Sequence, residues 1–216
     1  MLYRDRADAG RRLAAKLTAY AGLSDVLVLG LPRGGVPVAL EVAQALGAPW
    51  DVFLVRKVGV PGREELAMGA LASGGVSVVN EGVIRTLGIP DHVFAATAAK
   101  EEAELARREL AYRDGRSPPE VRGRIVVLVD DGLATGATMR AAVAALRKQQ
   151  PGRIVVAVPV GVSDVCVNLE KEADEVICAS TPEPFHAVGF WYEDFSQVTD
   201  EEVRGLLGQA GKARKE

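Results

Sequence analysis

The chain has few of the residues on which several common kinds of site depend. Its 216 residues include only two histidines and two cysteines, so a metal site built from several histidines is excluded. Neither G-x-G-x-x-G nor G-x-x-x-x-G-K-[ST] occurs, which argues against a dinucleotide site and a P-loop ATPase. No apolar run is as long as a membrane span, so we expect no membrane contact.

A basic excess is also missing. The chain carries 26 Lys and Arg against 29 Asp and Glu, a formal net charge of −3, which argues against a nucleic-acid partner. Cys166 and Cys178 lack metal-ligand spacing and have apolar neighbours, so we expect two reduced, buried thiols. We find no pattern of a secretory signal and expect a cytoplasmic location.

Apolar runs and helical patterns alternate along most of the chain. This alternation predicts an α/β fold with a mostly parallel central sheet and helices on both faces. Residues 56–75 contain several glycines and predict an irregular segment with one short strand at 68–72. The other predicted strands are 25–29, 51–55, 76–79, 125–129, 154–160 and 175–179, and the predicted helices are 4–20, 36–46, 91–112, 138–149 and 165–172.

The most specific pattern lies in residues 124–140, where five apolar residues lead into two adjacent carboxylates, Asp130 and Asp131. Such a run is typical of a buried parallel strand, whose carboxyl end opens on the ligand crevice. A loop of small residues follows and precedes a helix, so its backbone N–H groups and hydroxyls suit a phosphate. Ionised carboxylates only accept hydrogen bonds and suit a diol. The two together predict a site for a ribose 5-phosphate.

The segment V-V-L-V-D-D-G-L-A-T-G-A-T resembles the phosphoribosyl-pyrophosphate motif of type I phosphoribosyltransferases. The resemblance implies the type I phosphoribosyltransferase fold with a C-terminal hood, and transfer of ribose 5-phosphate from phosphoribosyl pyrophosphate to a nitrogenous base. It implies that Asp130 and Asp131 hold the ribose hydroxyls. The 5-phosphate loop would comprise Gly132, Ala134, Thr135, Gly136, Ala137 and Thr138. A non-catalytic regulator of the same fold that binds phosphoribosyl pyrophosphate is the alternative.

Two further segments fit the same family. The turn after the first predicted strand resembles its pyrophosphate loop, where members often hold a cis peptide. A basic pair ends the second predicted strand, and the family follows it with a mobile loop, here residues 58–75. The implied pyrophosphate-binding residues are Pro32, Arg33, Gly34, Gly35, Arg56 and Lys57. The candidate catalytic residues are Asp130, Asp131, Lys57 and Arg33.

The C-terminal part of the chain is rich in aromatic residues. We expect a core over residues 1–180, with an insertion at about 56–122, and a hood segment and C-terminal helix over 181–216. Aromatic loops usually cap a core edge or form a subunit contact. The segment A-V-G-F instead resembles the hood that covers the acceptor base in purine-type members. The candidate hood residues are Phe185, Val188, Phe190, Trp191 and Tyr192.

The resemblance also implies a cofactor, a partner and one restriction on the substrate. Mg²⁺ would be held chiefly by substrate oxygens, with Asp194 as a candidate contact, and the family's usual state is a homodimer. Members that use 6-oxopurines carry an acidic residue in the phosphate loop where this chain has Ala134. This difference argues against hypoxanthine, guanine and xanthine as acceptors.

Overall fold

Strands and helices alternate along the chain, and the computed structural model describes residues 2–113 and 117–213. The strands are β1 (Val26–Gly30), β2 (Trp50–Val52), β3 (Val55–Val60), β4 (Arg63–Ala72), β5 (Val76–Val79), β6 (Ile125–Val129), β7 (Arg153–Val160) and β8 (Glu175–Ser180). The helices are α1 (Arg6–Ala14), α2 (Gly35–Leu46), α3 (Glu81–Leu87), α4 (Asp91–Arg113), α5 (Ala137–Lys148), α6 (Ser163–Leu169) and α7 (Asp200–Ala213). Residues 114–116 of the expected insertion and 214–216 of the C-terminal segment lie outside the described residues.

The central sheet is parallel throughout, in the order β2-β1-β6-β7-β8. Its apolar strands are buried because helices cover both faces. On one face, Val127 and Val129 pack in one core cluster with residues of α1, α2 and α7. On the other face, Val126 and Leu128 pack with residues of α5 and α6. The α/β prediction is therefore confirmed.

The strand order places a topological switch between β1 and β6. From β1 the chain crosses to β2 on one side, and it later returns to β6 on the other side of β1. The ends of the two strands are in register, since Gly30 pairs with Val129 and the Leu31 N–H donates to the Val129 carbonyl at 2.8 Å. In open α/β sheets the crevice outside such a switch is where ligands bind.

A second sheet replaces the irregular segment that we expected at residues 56–75. Strands β3, β4 and β5 form an antiparallel sheet in that order, with a tight turn at Gly62, whose φ is +77°. The predicted short strand at 68–72 lies within β4. The rest was missed because the first four residues of β4 are exposed and its second half consists mostly of small residues, so no apolar alternation marks it. The second predicted strand is also corrected, since β2 ends at Val52 and Arg56 and Lys57 lie in β3.

Helix α4 spans the region between the two sheets and is tied to both. Its last residue, Arg113, is buried and donates to the Asp51 carboxylate at 3.0 Å and to the Val52 carbonyl at 2.8 Å. Near its middle, Glu101 pairs with Arg56 of β3 at 2.6 Å. Within the described ranges, no helix is long and apolar enough to cross a membrane.

Two other expectations are corrected. The N-terminal helix ends at Ala14, well before Tyr20, and a separate 3-10 turn covers Thr18–Tyr20. Cys166 and Cys178 form a disulfide between α6 and β8, so they are not the reduced thiols that we expected. Sequence spacing could not reveal this pairing, because it depends on how the helix packs on the last strand of the sheet.

Candidate active site

Asp130 and Asp131 follow β6 directly, at the switch point of the sheet. The Asp131 backbone N–H donates to Asp130 Oδ1 at 2.9 Å, which fixes the first carboxylate against the turn. Burial raises the pKa of Asp130 well above its usual range, and the neighbouring Asp131 charge raises it further. Burial also raises the pKa of Asp131, although a hydrogen bond from Arg6 opposes that rise. Asp131 therefore has a guanidinium as its partner, and Asp130 a backbone N–H.

The loop after β1 packs directly against these carboxylates. A β-carbon on Gly35 would lie 2.7 Å from the Val129 carbonyl and 2.8 Å from Asp130 Cα. A side chain on Gly34 would collide with the Asp131 carboxylate. The Pro32–Arg33 peptide bond is cis, as the resemblance implied. Glycine at both positions is thus required by close approach, and it brings the backbone of this loop beside the two carboxylates.

The loop after the carboxylates leads into the N-terminus of α5. Gly136 has a φ of +74°, a left-handed conformation that glycine adopts readily, and it precedes the first helical residue, Ala137. The Thr135 hydroxyl accepts from the Ala137 N–H at 3.4 Å, while Ala134, Thr135 and Thr138 are exposed. The first N–H groups of a helix have no partner within the helix, so an exposed helix N-terminus of this kind favours an anion.

A cavity of about 660 Å³ joins the two loops to the second sheet and α4. Pro32 comes from the first loop, Thr138 from the start of α5 and Lys57 from β3. Lys57 pairs with Glu65 at 3.3 Å, and the Glu65 side chain is 82% exposed, so the pair is open to exchange. Helix α4 adds two cations to the wall, Lys100 and Arg108, which sequence analysis did not connect with the site.

Residues 2–191 match the model of the phosphoribosyl transferase domain family. The chain belongs to this family. A Mycobacterium tuberculosis protein named, by inference, as a phosphoribosyl transferase is 47% identical over 209 residues, covering 97% of this chain. The chain spans about half, 47%, of the length of that relative.

Two solved structures share the fold of this chain. The crystal structure of a Thermus thermophilus protein is 46% identical, has a TM-score of 0.88, and covers 97% of this chain and 99% of its own. A protein of Aquifex aeolicus shares the fold, with 13% identity, a TM-score of 0.52, and coverage of 85% of this chain and 78% of its own. The fold and the family that the sequence suggested are therefore confirmed.

In this phosphoribosyl transferase domain, the aromatic segment lies beside the carboxylates. Val188 packs against Gly132, where a β-carbon would have no room. The Tyr192 hydroxyl donates to the Asp131 carbonyl at 2.5 Å, and its ring is buried against Tyr3. Burial raises the pKa of Tyr192, and the nearby Asp131 charge adds to that effect. Phe190, by contrast, is 63% exposed.

The N-terminal residues hold this segment in place, a contact that sequence analysis missed. The N–H groups of Leu2 and Tyr3 donate to the Trp191 carbonyl at 2.9 and 3.0 Å, and the Glu193 N–H donates to the Tyr3 carbonyl at 2.8 Å. Arg6 of α1 pairs with Asp131 at 2.8 Å across 125 residues of sequence. No local pattern signals such distant partners, because each side alone looks like an ordinary surface residue.

Of the predicted site residues, Pro32, Arg56, Lys57 and Thr138 line the cavity, and the others, Asp130 and Asp131 among them, do not. The Arg33 guanidinium lies 3.9 Å from Asp200 of α7, which also accepts from the Tyr112 hydroxyl at 2.5 Å. Asp194 is exposed, and its carboxylate accepts from the Ser196 N–H at 2.9 Å, which lowers its pKa. Within residues 2–113 and 117–213, no group of three or more His, Cys, Asp or Glu is arranged to hold a metal ion.

Proposed function

We propose that this chain transfers ribose 5-phosphate from phosphoribosyl pyrophosphate to a nitrogenous base and releases pyrophosphate. The observation that carries the proposal is the position of Asp130 and Asp131 at the switch point, between a glycine-rich backbone loop and a helix N-terminus. Membership of the phosphoribosyl transferase domain family supports it. The three chemical environments match the three parts of that substrate: diol, pyrophosphate and 5-phosphate.

Asp130 and Asp131 are proposed to accept hydrogen bonds from the ribose hydroxyls. Burial raises the pKa of both carboxylates, so hydrogen bonds from hydroxyl groups would compensate for lost hydration. Their charge would also favour the positive character that develops on the ribose ring when the pyrophosphate bond breaks. Fixing the ring in one orientation is the second contribution, since positioning alone removes a large part of a barrier.

The loop that contains Gly132, Ala134, Thr135, Gly136, Ala137 and Thr138 is proposed to hold the 5-phosphate. Its N–H groups lie at the positive end of α5, and its exposed hydroxyls add donors. The phosphate does not react, so this binding energy serves to position the reacting carbon. A bound anion at this helix end would also complete hydrogen bonds that the free protein leaves to water.

The leaving pyrophosphate is proposed to lie against the loop of Pro32, Arg33, Gly34 and Gly35, with Arg56 and Lys57 on the far side of the cavity. Mg²⁺ would neutralise part of the leaving charge. The donor set fits an ion that arrives on substrate oxygens, because Mg²⁺ uses few protein ligands and the described residues offer no cluster of three. Lys57 would exchange its exposed Glu65 partner for a phosphate oxygen.

The acceptor base is proposed to bind under the hood, beside Val188 and Gly132. Phe190 is the hood aromatic that remains open to stack on a ring, whereas Tyr192 is already buried and hydrogen-bonded. Trp191 packs against Phe190 and Phe185 packs against Trp191, so the two rings would support Phe190. Ala134 offers no carboxylate for the N7 position of a 6-oxopurine, so we expect another base to be preferred.

The deciding experiment measures pyrophosphate release from phosphoribosyl pyrophosphate and Mg²⁺ across a panel of purine and pyrimidine bases. Release that depends on one base would support the proposal and name the acceptor. Saturable binding without release for any base would favour the non-catalytic regulator. The double variant Asp130→Asn, Asp131→Asn should lose binding, whereas Asp164→Asn, an exposed carboxylate of α6, should retain it. Equal binding by wild type and double variant would reject the site.

We also propose the homodimer that is usual for the family, and sedimentation velocity of the purified chain tests it directly. One chain has a mass of 22.9 kDa, and the expected result at micromolar concentration is a species of about twice that mass. A single species at the mass of one chain would reject it without affecting the proposed chemistry.

A further inference from the structure

Arg6 makes three contacts that join separate parts of the molecule. Its Nε donates to Asp131 Oδ2 at 2.8 Å, its Nη1 donates to the Ser196 carbonyl at 2.7 Å, and its Cζ lies 4.0 Å from the centre of the Phe195 ring. The side chain is only 11% exposed. One guanidinium thus links α1, the carboxylate after β6 and residues 195–196 of the hood segment.

The other arginines of this part of the chain behave differently. Arg4 and Arg12 pair with Asp8 at 3.8 and 3.2 Å, within or beside α1, and their side chains are 67% and 56% exposed. Arg11 pairs with Glu41 of α2 at 3.2 Å. Exposed ion pairs of this kind contribute about 0 to 1 kcal/mol. Arg6 is the arginine of α1 that turns inward and meets a carboxylate of the candidate active site.

The geometry leaves half of the Asp131 carboxylate for a ligand. Arg6 bonds to Oδ2, which also faces Gly34, and no side chain among the described residues donates a hydrogen bond to Oδ1. The Tyr192 hydroxyl holds the main chain of the same residue through its carbonyl. Asp131 is thereby fixed from two sides with one oxygen left as an acceptor. A carboxylate with restricted rotation loses less entropy when it receives a ribose hydroxyl.

We propose that Arg6 is a positioning residue that orients Asp131 for the ribose hydroxyls and couples that orientation to the hood. The inference rests on the proposed function, because it assigns Asp131 to the ribose. A planar guanidinium suits this task, since its donors have fixed directions that satisfy Asp131 and Ser196 together. The aromatic face of Phe195 holds the same plane in place.

The test compares Arg6→Gln and Arg6→Lys with wild type, and uses Arg12→Gln as the matched control from the same helix. Calorimetry measures binding of ribose 5-phosphate and, separately, of inorganic pyrophosphate with Mg²⁺. We expect Arg6→Gln to weaken ribose 5-phosphate binding about tenfold or more, as for other charged hydrogen bonds, with pyrophosphate binding unchanged. Arg6→Lys should recover part of the loss, because it restores the charge without the bond to Ser196. Arg12→Gln should match wild type.

The outcomes separate this inference from the proposed function. An equal loss of affinity for both ligands in Arg6→Gln would indicate general disruption and would overturn the positioning role. Unchanged affinity for ribose 5-phosphate would overturn it as well. If Arg6→Gln does not fold, full binding by Arg6→Lys would overturn the requirement for a guanidinium. Failure of wild type to bind ribose 5-phosphate or phosphoribosyl pyrophosphate at all would reject the proposed function, and this inference with it.

Discussion

The carboxylate of Asp131 occupies the space that a side chain on Gly34 would need. The two residues are far apart in sequence, and they meet because β1 and β6 are neighbours that end in register. The contact connects the proposed ribose site with the proposed pyrophosphate loop. Any group added at Gly34 must therefore displace the carboxylate, the loop or both.

We predict that Gly34→Ala will weaken phosphoribosyl-pyrophosphate binding by about 10- to 100-fold, because a displacement of about 1 Å is enough to misplace a reacting group. Calorimetric titration measures the dissociation constant. Gly205→Ala is the control, since a β-carbon at Gly205 of α7 would meet no atom within 4 Å. Wild-type affinity in Gly34→Ala would contradict the close contact.

Asp130→Asn should stabilise the protein at neutral pH. Burial raises the pKa of Asp130 in the folded state, so its contribution to stability is complete below the unfolded pKa, about 3.9, and is lost as pH rises through the folded value. Removing the charge restores that contribution. We expect the melting temperature at pH 7 to rise by about 2 to 4 °C, the shift for 1 kcal/mol in a chain of this size, and the gain to vanish below about pH 4. A lower melting temperature at pH 7 would contradict the raised pKa of Asp130. Asp164→Asn makes the same change at an exposed position and serves as the control.

Lys57→Gln should raise the dissociation constant of Mg²⁺-pyrophosphate by about tenfold. Lys57 faces the cavity, and its partner Glu65 is mostly exposed, so a phosphate oxygen can replace Glu65 at small cost. A charged hydrogen bond of this kind contributes about 1.5 kcal/mol or more. Lys148→Gln, at an exposed position of α5, controls for the loss of one positive charge. Identical binding curves for both variants would show that Lys57 does not bind the pyrophosphate.

Leu146→Ala should destabilise the fold by about 2 to 5 kcal/mol, since Leu146 of α5 is fully buried against the central sheet. Urea unfolding followed by circular dichroism measures the free energy of unfolding. Leu110→Ala makes the same chemical change at a position that is 75% exposed, and we expect a change within about 0.5 kcal/mol. A similar loss of unfolding free energy in both variants would contradict the packing of α5 against the central sheet.

Reduction should lower stability through the Cys166–Cys178 disulfide. The bond closes a short loop, with a sequence separation of 12, for which the loss is about 2 to 3 kcal/mol. Unfolding with and without dithiothreitol measures the difference, and Cys166→Ser should be insensitive to the reductant. Titration of two free thiols in native, unreduced protein would contradict the bond.

The elements that sequence alone predicted are those whose pattern is local. Strands β1, β6 and β7 are continuous apolar runs because helices cover both of their faces, and the predicted bounds agree within one residue at each end. The change from loop to helix after Asp131 was also predicted closely, since the helix expected from Thr138 begins at Ala137.

The features that were missed depend on contacts across the fold. Strand β4 begins with exposed residues, so its extended conformation follows from pairing with β3 and β5 and not from its own composition. Arg6 and Asp131 are separated by 125 residues, and the cations that α4 places on the cavity wall are indistinguishable in sequence from an ordinary solvated face. Whether such a residue belongs to the site depends on the direction of its side chain in the folded chain, which residue type alone does not reveal.

The wall of the cavity formed by β3 and β4 is a hydrogen-bonded sheet, and Arg56 pins it to α4 through Glu101. A disordered loop that closes over a substrate loses about 1 to 2 kcal/mol of backbone entropy for each residue that it orders. Here the same residues are paired as strands β3 and β4. Closure of this wall would have to be a displacement of the sheet as one body, which leaves more of the binding energy for the reacting bond.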